Sequence, residues 1–514
     1  MKISTIWASL ALLAAFIFGV FQVSIAHLNP ACSKIPMTPG CTHKASQVTP
    51  SVPLCPLPFN EWSIAARAVP GNSPRPGGSI PPWFNRALAL RGQQVASEFR
   101  VPWYISMFFG ILVELNMPDV RNPLMFNKKQ TTGADNAKRD MATLMQGVVW
   151  TRDYFHSMPI EGNSSFIDSI QNVHAIHTDV ARRANAKFAK EGCIVPRHEY
   201  ANQTTNDVMW DAFESDLKNS NIPASQRVPS PTNWPTCPTP TDCGACKACK
   251  KCEPCKGGGG KCKTKCTECA GCKACKQKAA AGCEDQVKSY NCGACMCDAK
   301  KGNCGECKSC TSAQKCLNFV PPMFNQQSML FVVYLFTAYP VLFGKDLAIS
   351  ACEADLWAFN HLFAAVGYGL GIDDKYNALL QPDIKSARIY YKKMHEEIVI
   401  PSLFQFNKQS RLMMDNVFKG LSSLTRDLLS PTFLLHRFVH NFLNQPAPRL
   451  KALMTKKERD LDSTLDSYLP QFMNSANYRS VANGALHGFL ATTTNTLFKG
   501  NCKDDKISSK KCFV

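Results

Sequence analysis

Two histidines, His174 and His177, lie one helical turn apart in the stretch from Ile167 to Arg183. The stretch has the apolar spacing of an amphipathic helix, and residues at i and i+3 share one helix face. A neutral imidazole on such a face can bind a metal ion through a free ring nitrogen. It can equally pack in a core with a hydrogen bond to a carbonyl. The residues alone leave both interpretations open.

A second pair, His436 and His440, has the i, i+4 spacing of metalloprotease helices. Arg437 stands where such a site needs a glutamate base, and no third ligand follows, so the pattern indicates ordinary packing of an amphipathic helix. The chain has no GxSxG elbow, Walker loop or dinucleotide fingerprint in a strand-to-helix context, and we expect no nicotinamide cofactor. The glycines between Gly367 and Ile372 lie in apolar helical sequence, where small residues let a helix or a flat ligand approach.

Helices must position these residues, because helical apolar spacing dominates the chain. It runs from about residue 81 to Glu191, resumes at Gln326 and continues to about Phe498, with little strand-type alternation. The segment 101–115 is apolar on nearly every face, and Glu114 and Asn116 close it too early for a membrane span. The sequence predicts an all-α fold with two helical parts, residues 81–235 and 318–500.

The N-terminal residues predict a secreted protein. Residues 1–26 combine Lys2, an apolar run and a small-x-small cleavage site ending at Ala26, as a signal peptide does. An uncleaved anchor that leaves the body facing the lumen is the alternative. In either compartment Asn163 and Asn202 are candidate glycan acceptors. Residues 27–80 predict an irregular leader rich in proline and serine, and residues 501–514 a short tail.

Residues 236–317 form a cysteine- and lysine-rich block that contains nineteen of the 26 cysteines. The block has almost no large apolar residues, so crosslinks must hold its shape. Repeated CxxC pairs can bind zinc or an iron–sulfur cluster, but behind a secretion signal they are more often oxidised. We expect a disulfide-stapled insertion. Its odd number of cysteines implies a partner outside the block or a free thiol.

The formal net charge of +19 is spread along the 514 residues. Nucleic-acid binding needs basic residues interleaved with aromatic ones, and the lysine-rich block has almost no aromatic residues. We therefore expect no nucleic-acid partner. The charge is interpreted as a solubility feature, with weak attraction to anionic or membrane surfaces as the alternative.

Several segments occur in a recognisable order: PPWFNRALALRGQQ, KRDMATLMQGVVW, VHAIHTDVARR, FTAYPVLFG and DLWAFNHLFAAVGYGLGIDDKYN. This order resembles the rubber oxygenase (latex clearing protein) and ER-bound mycophenolate-pathway oxygenase family, most closely its animal branch. The resemblance covers about residues 80–200 and 318–430. It implies an all-helical, globin-like domain that holds haem b through a proximal histidine.

The resemblance implies His177 as that iron ligand. The family pattern has an apolar residue before the histidine and a valine three positions after it, which Ile176 and Val180 match. With the pattern aligned on His177, the basic pair Arg182 and Arg183 also follows the histidine as in the family. The alternative frame places the ligand on His174, the position that holds arginine in the family pattern.

The resemblance also implies that Arg139 and Thr143 face the distal side of the haem. Their i, i+4 spacing puts a cation and a hydroxyl on one helix face, where they could polarise dioxygen or steady a propionate. Rubber-cleaving members carry a lysine where this chain has Ala142. Their upstream acidic base has no clear counterpart, and Glu114 and Asp135 are candidates by rough position.

These features predict a secreted haem b-dependent oxygenase that takes dioxygen and a hydrophobic substrate, isoprenoid or lipid-like. One alternative is a haem- or lipid-binding protein without turnover, which Ala142 and the missing acid favour. Another is an extracellular interaction protein that acts through its cysteine-rich block.

Overall fold

The structure, a computed structural model, describes residues 57–71, 75–126, 165–191, 204–228, 322–424 and 430–484 together with residue 486. Of this described part, 74% is helical and none of it forms a strand, so the prediction of an all-α chain is confirmed there. The globin-like arrangement stays a prediction. None of the helices in these ranges is long and apolar enough to cross a membrane.

The first described part contains six helices, and a 3-10 turn follows them at Ala224–Gln226. The helices are α1 (Phe59–Ala68), α2 (Arg86–Glu98), α3 (Arg100–Glu114), α4 (Pro118–Phe126), α5 (Ser165–Glu191) and α6 (Asp207–Lys218). Helix α2 begins at Asn85, whose side chain accepts a hydrogen bond from the backbone N–H of Leu88. Asn206 caps α6 through Met209 in the same way, which explains why these helices begin where they do.

The second described part contains eight α-helices and two π-helical segments. The helices are α7 (Gln326–Leu342), α8 (Glu353–Gly369), α9 (Ile384–Met394), α10 (Ile400–Leu403), α11 (Lys408–Leu424), α12 (Pro431–Arg437), α13 (Pro448–Leu453) and α14 (Lys456–Asn474). The π-helical segments are His395–Val399 and Phe438–Phe442, and residues 476–484 are also helical. Cys352, which precedes α8, is an unpaired thiol.

Helix α1 corrects the prediction of an irregular leader over residues 27–80. Phe59, Trp62, Ser63 and Ala66 are all buried, and their spacing of three and four residues places them on one helix face. Trp62 donates a hydrogen bond from Nε1 to the carbonyl oxygen of Tyr376, 2.8 Å away. The prediction was wrong for α1 because ten residues contain too few turns for the apolar period to stand out.

Nearly all buried apolar residues of the two described parts form one hydrophobic cluster. Helix α2 packs along α8, and α7 packs against both α3 and α8. Helix α3 is buried over most of its length, as expected for a central helix. The core is therefore built by residues on both sides of the cysteine-rich block in the sequence.

A buried polar junction joins three helices of this core. Asp119 at the start of α4 accepts hydrogen bonds from Arg67 of α1 at 3.0 Å and from Asn325 at 3.2 Å. All three residues are less than a tenth exposed. Asn325 also caps α7 by accepting from the N–H of Ser328. The junction thus fixes the start of α7, the first helix of the second part, in its position relative to α1 and α4.

We expect Asp119→Ala to lower the free energy of unfolding by about 3 kcal/mol, because it leaves the buried Arg67 without its carboxylate. Urea unfolding followed by circular dichroism measures this loss. The control is Asp179→Ala, which removes a surface carboxylate that pairs with Arg182 and Arg183. The control is expected to leave stability nearly unchanged. Equal behaviour of the two variants would contradict the importance of the junction.

Candidate functional site

Helix α5 carries both His174 and His177. Its inner face is made of buried apolar residues three or four positions apart, and it packs against α4 and α8. The residues of that face are Ile167, Ile170, Val173, Val180, Ala181 and Ala184. Arg182 and Arg183 lie on the outer face, where both pair with Asp179 at 2.8 Å.

The imidazole of His177 lies against the ring of Phe324, with ring centroids 4.7 Å apart and planes inclined by 19°. Part of the residue reaches the surface, but its Nδ1 is buried and has no hydrogen-bond partner among the described residues. Burial lowers the pKa of His177 to about 4, and the charge of the nearby His174 acts in the same direction. His177 is therefore neutral at pH 7 and keeps a lone pair available for a metal ion.

His174 lies between two loops that approach it through glycines. A Cβ atom on Gly77 would lie 2.8 Å from the His174 Cβ, and one on Gly371 would lie 3.3 Å from its Nε2. That Nε2 is buried without a hydrogen-bond partner. Burial and the charge of Arg75 lower the pKa of His174. Backbone therefore occupies the space beside this ring, at the glycine-rich segment that sequence analysis associated with close approach.

Three buried polar atoms without partners lie within five residues of α5. They are His174 Nε2, His177 Nδ1 and Thr178 Oγ1, none of which has a hydrogen-bond partner in the described part of the chain. Buried polar groups in folded proteins nearly always have a partner, so such a group needs a specific explanation, among them a bound ligand. This concentration makes the inner face of α5 the candidate site.

Most other residues predicted from the sequence to belong to a site lie outside the described residues. These are Arg139, Thr143, Ala142, Asp135, Asn163, Asn202, the signal sequence and the cysteine-rich block. The structure brings His174 and His177 together on α5, as the spacing predicted.

Glu114, a candidate by rough position for the acidic base that the resemblance implies, is the last residue of α3 and is partly exposed. Burial raises its pKa to about 8, so it is mostly protonated at pH 7. Burial also raises the pKa of Tyr339, and the charges of Tyr334 and Glu114 add to this effect. The Tyr339 hydroxyl and the Nδ1 of His395 are buried without a partner in the ranges that the structure describes, and the centroids of their rings are 6.2 Å apart. Burial lowers the pKa of His395 to about 4.

The pair His436 and His440 takes part in an ion-pair network. His436 is buried, with Nδ1 3.4 Å from Asp462, and Arg437 bridges Asp462 and Asp466 at 3.0 and 2.6 Å. Burial opposes ionisation of Asp462, but His436 and Arg437 outweigh it and lower the pKa of this carboxyl.

In the described part of the chain, no three histidine, cysteine or acidic residues are grouped as metal ligands.

A small cavity lies between α2 and α8, away from α5. Its volume of about 20 Å³ holds about one water molecule and no macrocycle. It is lined by Trp83, Asn85, Trp357, Asn360 and His361, among others. The Nε2 of His361 accepts a hydrogen bond from the Asn85 N–H at 2.9 Å. This histidine therefore has the satisfied structural role that a core imidazole usually has.

Sequence reasoning missed Phe324, Tyr339 and His395. Phe324 has a positive φ of 52°, which the sequence does not signal, since glycine or asparagine is usual in that conformation. His395 begins a π-helical segment, a feature with no sequence signature and a frequent location for functional residues.

Comparison of the chain with family models, curated proteins and solved structures gives no match.

We expect Glu114→Gln to change how stability depends on pH. The folded-state pKa of about 8 exceeds the ordinary value of 4.5, so between these values the folded chain holds a proton that the unfolded chain releases. The contribution of Glu114 to stability is therefore complete below about pH 4.5 and is lost as pH rises towards 8.

Relative to Glu114→Gln, the native chain should lose about 1.4 kcal/mol of stability per pH unit between pH 5.5 and 7.5. Denaturant unfolding of both proteins at several pH values measures the difference. Parallel pH profiles would show that Glu114 is not held protonated.

Proposed function

We propose that this chain is a haem b-dependent oxygenase of hydrophobic substrates, in which His177 would hold the haem iron. The observation that carries the proposal is the buried, neutral imidazole of His177, which makes no hydrogen bond with any described residue. A haem iron needs one such imidazole from its protein and no cluster of three ligands. The resemblance to the rubber oxygenase family supplies the identity of the cofactor.

His177 fits the ligand role better than His174 does. The His174 ring is bordered by the backbone at Gly77 and Gly371, which leaves little room for a macrocycle on those sides. Because the Nδ1 of His177 is enclosed, we propose that Nε2 would hold the iron. Nδ1 would then carry the ring proton and would not itself contact the cofactor. This donor chemistry fits haem, because a neutral imidazole is the usual proximal ligand. When bound, haem supplies the oxidising chemistry that no side chain can provide.

The remaining tasks fall to side chains. In the proposal, Arg139 and Thr143 would orient dioxygen or a propionate, as the resemblance implies. Helix α8 packs against α5 and is buried along most of its length, so its apolar side chains keep water away from this side of α5. The hydrophobic substrate is what the resemblance implies. The proposed location is the secretory pathway or the cell exterior.

We expect protein made through a secretory pathway and reconstituted with haem to show a Soret band that His177→Ala abolishes or shifts. His174→Ala should keep the band, and so should His361→Ala, which removes a buried histidine between α2 and α8. Absorption spectra and iron analysis make the comparison. Loss of the band in His174→Ala alone would move the ligand to that residue. A band unaffected by either substitution on α5 would remove the proposal.

Turnover is tested separately from haem binding. We expect the haem-loaded protein to consume dioxygen when given an unsaturated isoprenoid or fatty acid, at a rate that His177→Ala and boiling abolish. An oxygen electrode and mass spectrometry of the products measure this. Haem binding without oxygen uptake on any such substrate would instead favour a binding protein without turnover.

A further inference from the structure

Phe324 has a backbone conformation that a bulky residue seldom adopts. Its φ of 52° lies in the left-handed region, where a side chain crowds its own backbone. Strain of this kind persists only where the surroundings enforce it, and it concentrates at functional sites. The residue is only 6% exposed, so its ring lies inside the protein rather than at a surface turn.

The backbone around Phe324 is held by the segment that follows α1. The N–H of Gly71 donates a 2.6 Å hydrogen bond to the Phe324 carbonyl, and the N–H of Gln326 donates to the carbonyl of Val69 at 2.9 Å. A Cβ atom on Gly71 would lie 2.2 Å from the Phe324 oxygen, so only glycine permits this approach.

The other side of Phe324 is fastened to the helix that carries His177. Asn185, two turns further along α5, accepts a hydrogen bond through Oδ1 from the N–H of Met323 at 2.8 Å. The residue next to Phe324 is thus fixed to the same rigid helix as the imidazole. Both partners of the ring contact are therefore set by hydrogen bonds outside the contact itself.

A histidine that binds a metal is normally oriented by its second ring nitrogen, which donates to a carboxylate, a carbonyl or water. The Nδ1 of His177 makes no such bond with the described residues. The contact that remains to define the plane of the imidazole is the parallel ring of Phe324, 4.7 Å away. Offset stacking favours one ring plane over others.

We propose that Phe324 is a positioning residue, which fixes the plane of the His177 imidazole by stacking in place of the usual Nδ1 hydrogen bond. That this orientation serves to bind iron rests on the proposed function. The orientation itself is a property of the protein without cofactor and can be measured there.

The test compares Phe324→Leu, which removes the aromatic ring, with Phe324→Tyr, which keeps it. Phe331→Leu is the matched control, because Phe331 is buried on α7 and contacts the ring of Tyr334. NMR spectra of the cofactor-free proteins with isotope-labelled histidine give the His177 ring signals, assigned by their loss in His177→Ala. In the native chain, stacking should shift these signals through the ring current of Phe324.

We expect the ring-current shift to disappear in Phe324→Leu and to persist in Phe324→Tyr and Phe331→Leu. In haem titrations, Phe324→Leu should bind about 10- to 100-fold more weakly, the range typical for loss of a residue that orients a ligand. Its ferric electron paramagnetic resonance signal should broaden, because the imidazole plane is no longer fixed. Phe324→Tyr should restore both properties.

Unchanged His177 signals in Phe324→Leu would overturn the positioning role, whatever the protein binds. An equal loss of haem affinity in Phe331→Leu would also overturn it, because the effect would then be one of general repacking. If the signals change as expected but the native chain takes up no haem, the proposed function fails while the orientation by Phe324 stands.

Discussion

The docking of residues 322–326 against the first helical part is the contact on which the candidate site depends. Three hydrogen-bonded connections meet there: Gly71 with Phe324, Asp119 with Asn325, and Asn185 with Met323. Each joins residues far apart in the sequence, so their loop-closure entropy has to be offset by the core that they complete. The ring of Phe324 reaches His177 only because these connections hold together.

Burial gives the two histidines of α5 a common protonation state but different surroundings. Removing an imidazole from water disfavours its charged form, so burial lowers the pKa of both residues. A neutral ring is a ligand only where a partner can reach its nitrogen. At His174 two glycine loops lie beside the ring, whereas at His177 an aromatic ring covers one face. One helical turn therefore separates a side chain packed against backbone from a candidate ligand.

The sequence predicted those features that depend on local pattern. Apolar period revealed the helical blocks and the buried character of α3, and i, i+3 spacing placed both histidines on one side of α5. Prediction from local pattern failed at α1, because this helix has too few turns for its period to stand out. It also failed at Phe324, whose backbone conformation is imposed by residues distant in the sequence. Nor does local spacing reveal a π-helical segment such as the one that begins at His395.

The Nδ1 of His177 makes no hydrogen bond with the described residues, which has an electronic consequence under the proposed function. A hydrogen bond from Nδ1 to a carboxylate or carbonyl makes a ligating imidazole more basic and a stronger donor to its metal. Stacking on Phe324 orients the ring of His177 without adding this electron density. His177 would then be a comparatively weak donor, which favours the ferrous over the ferric state, because the ferric ion gains more from a strong donor. Under the proposal, orientation and donor strength, which one hydrogen bond normally sets together, would be separated at His177.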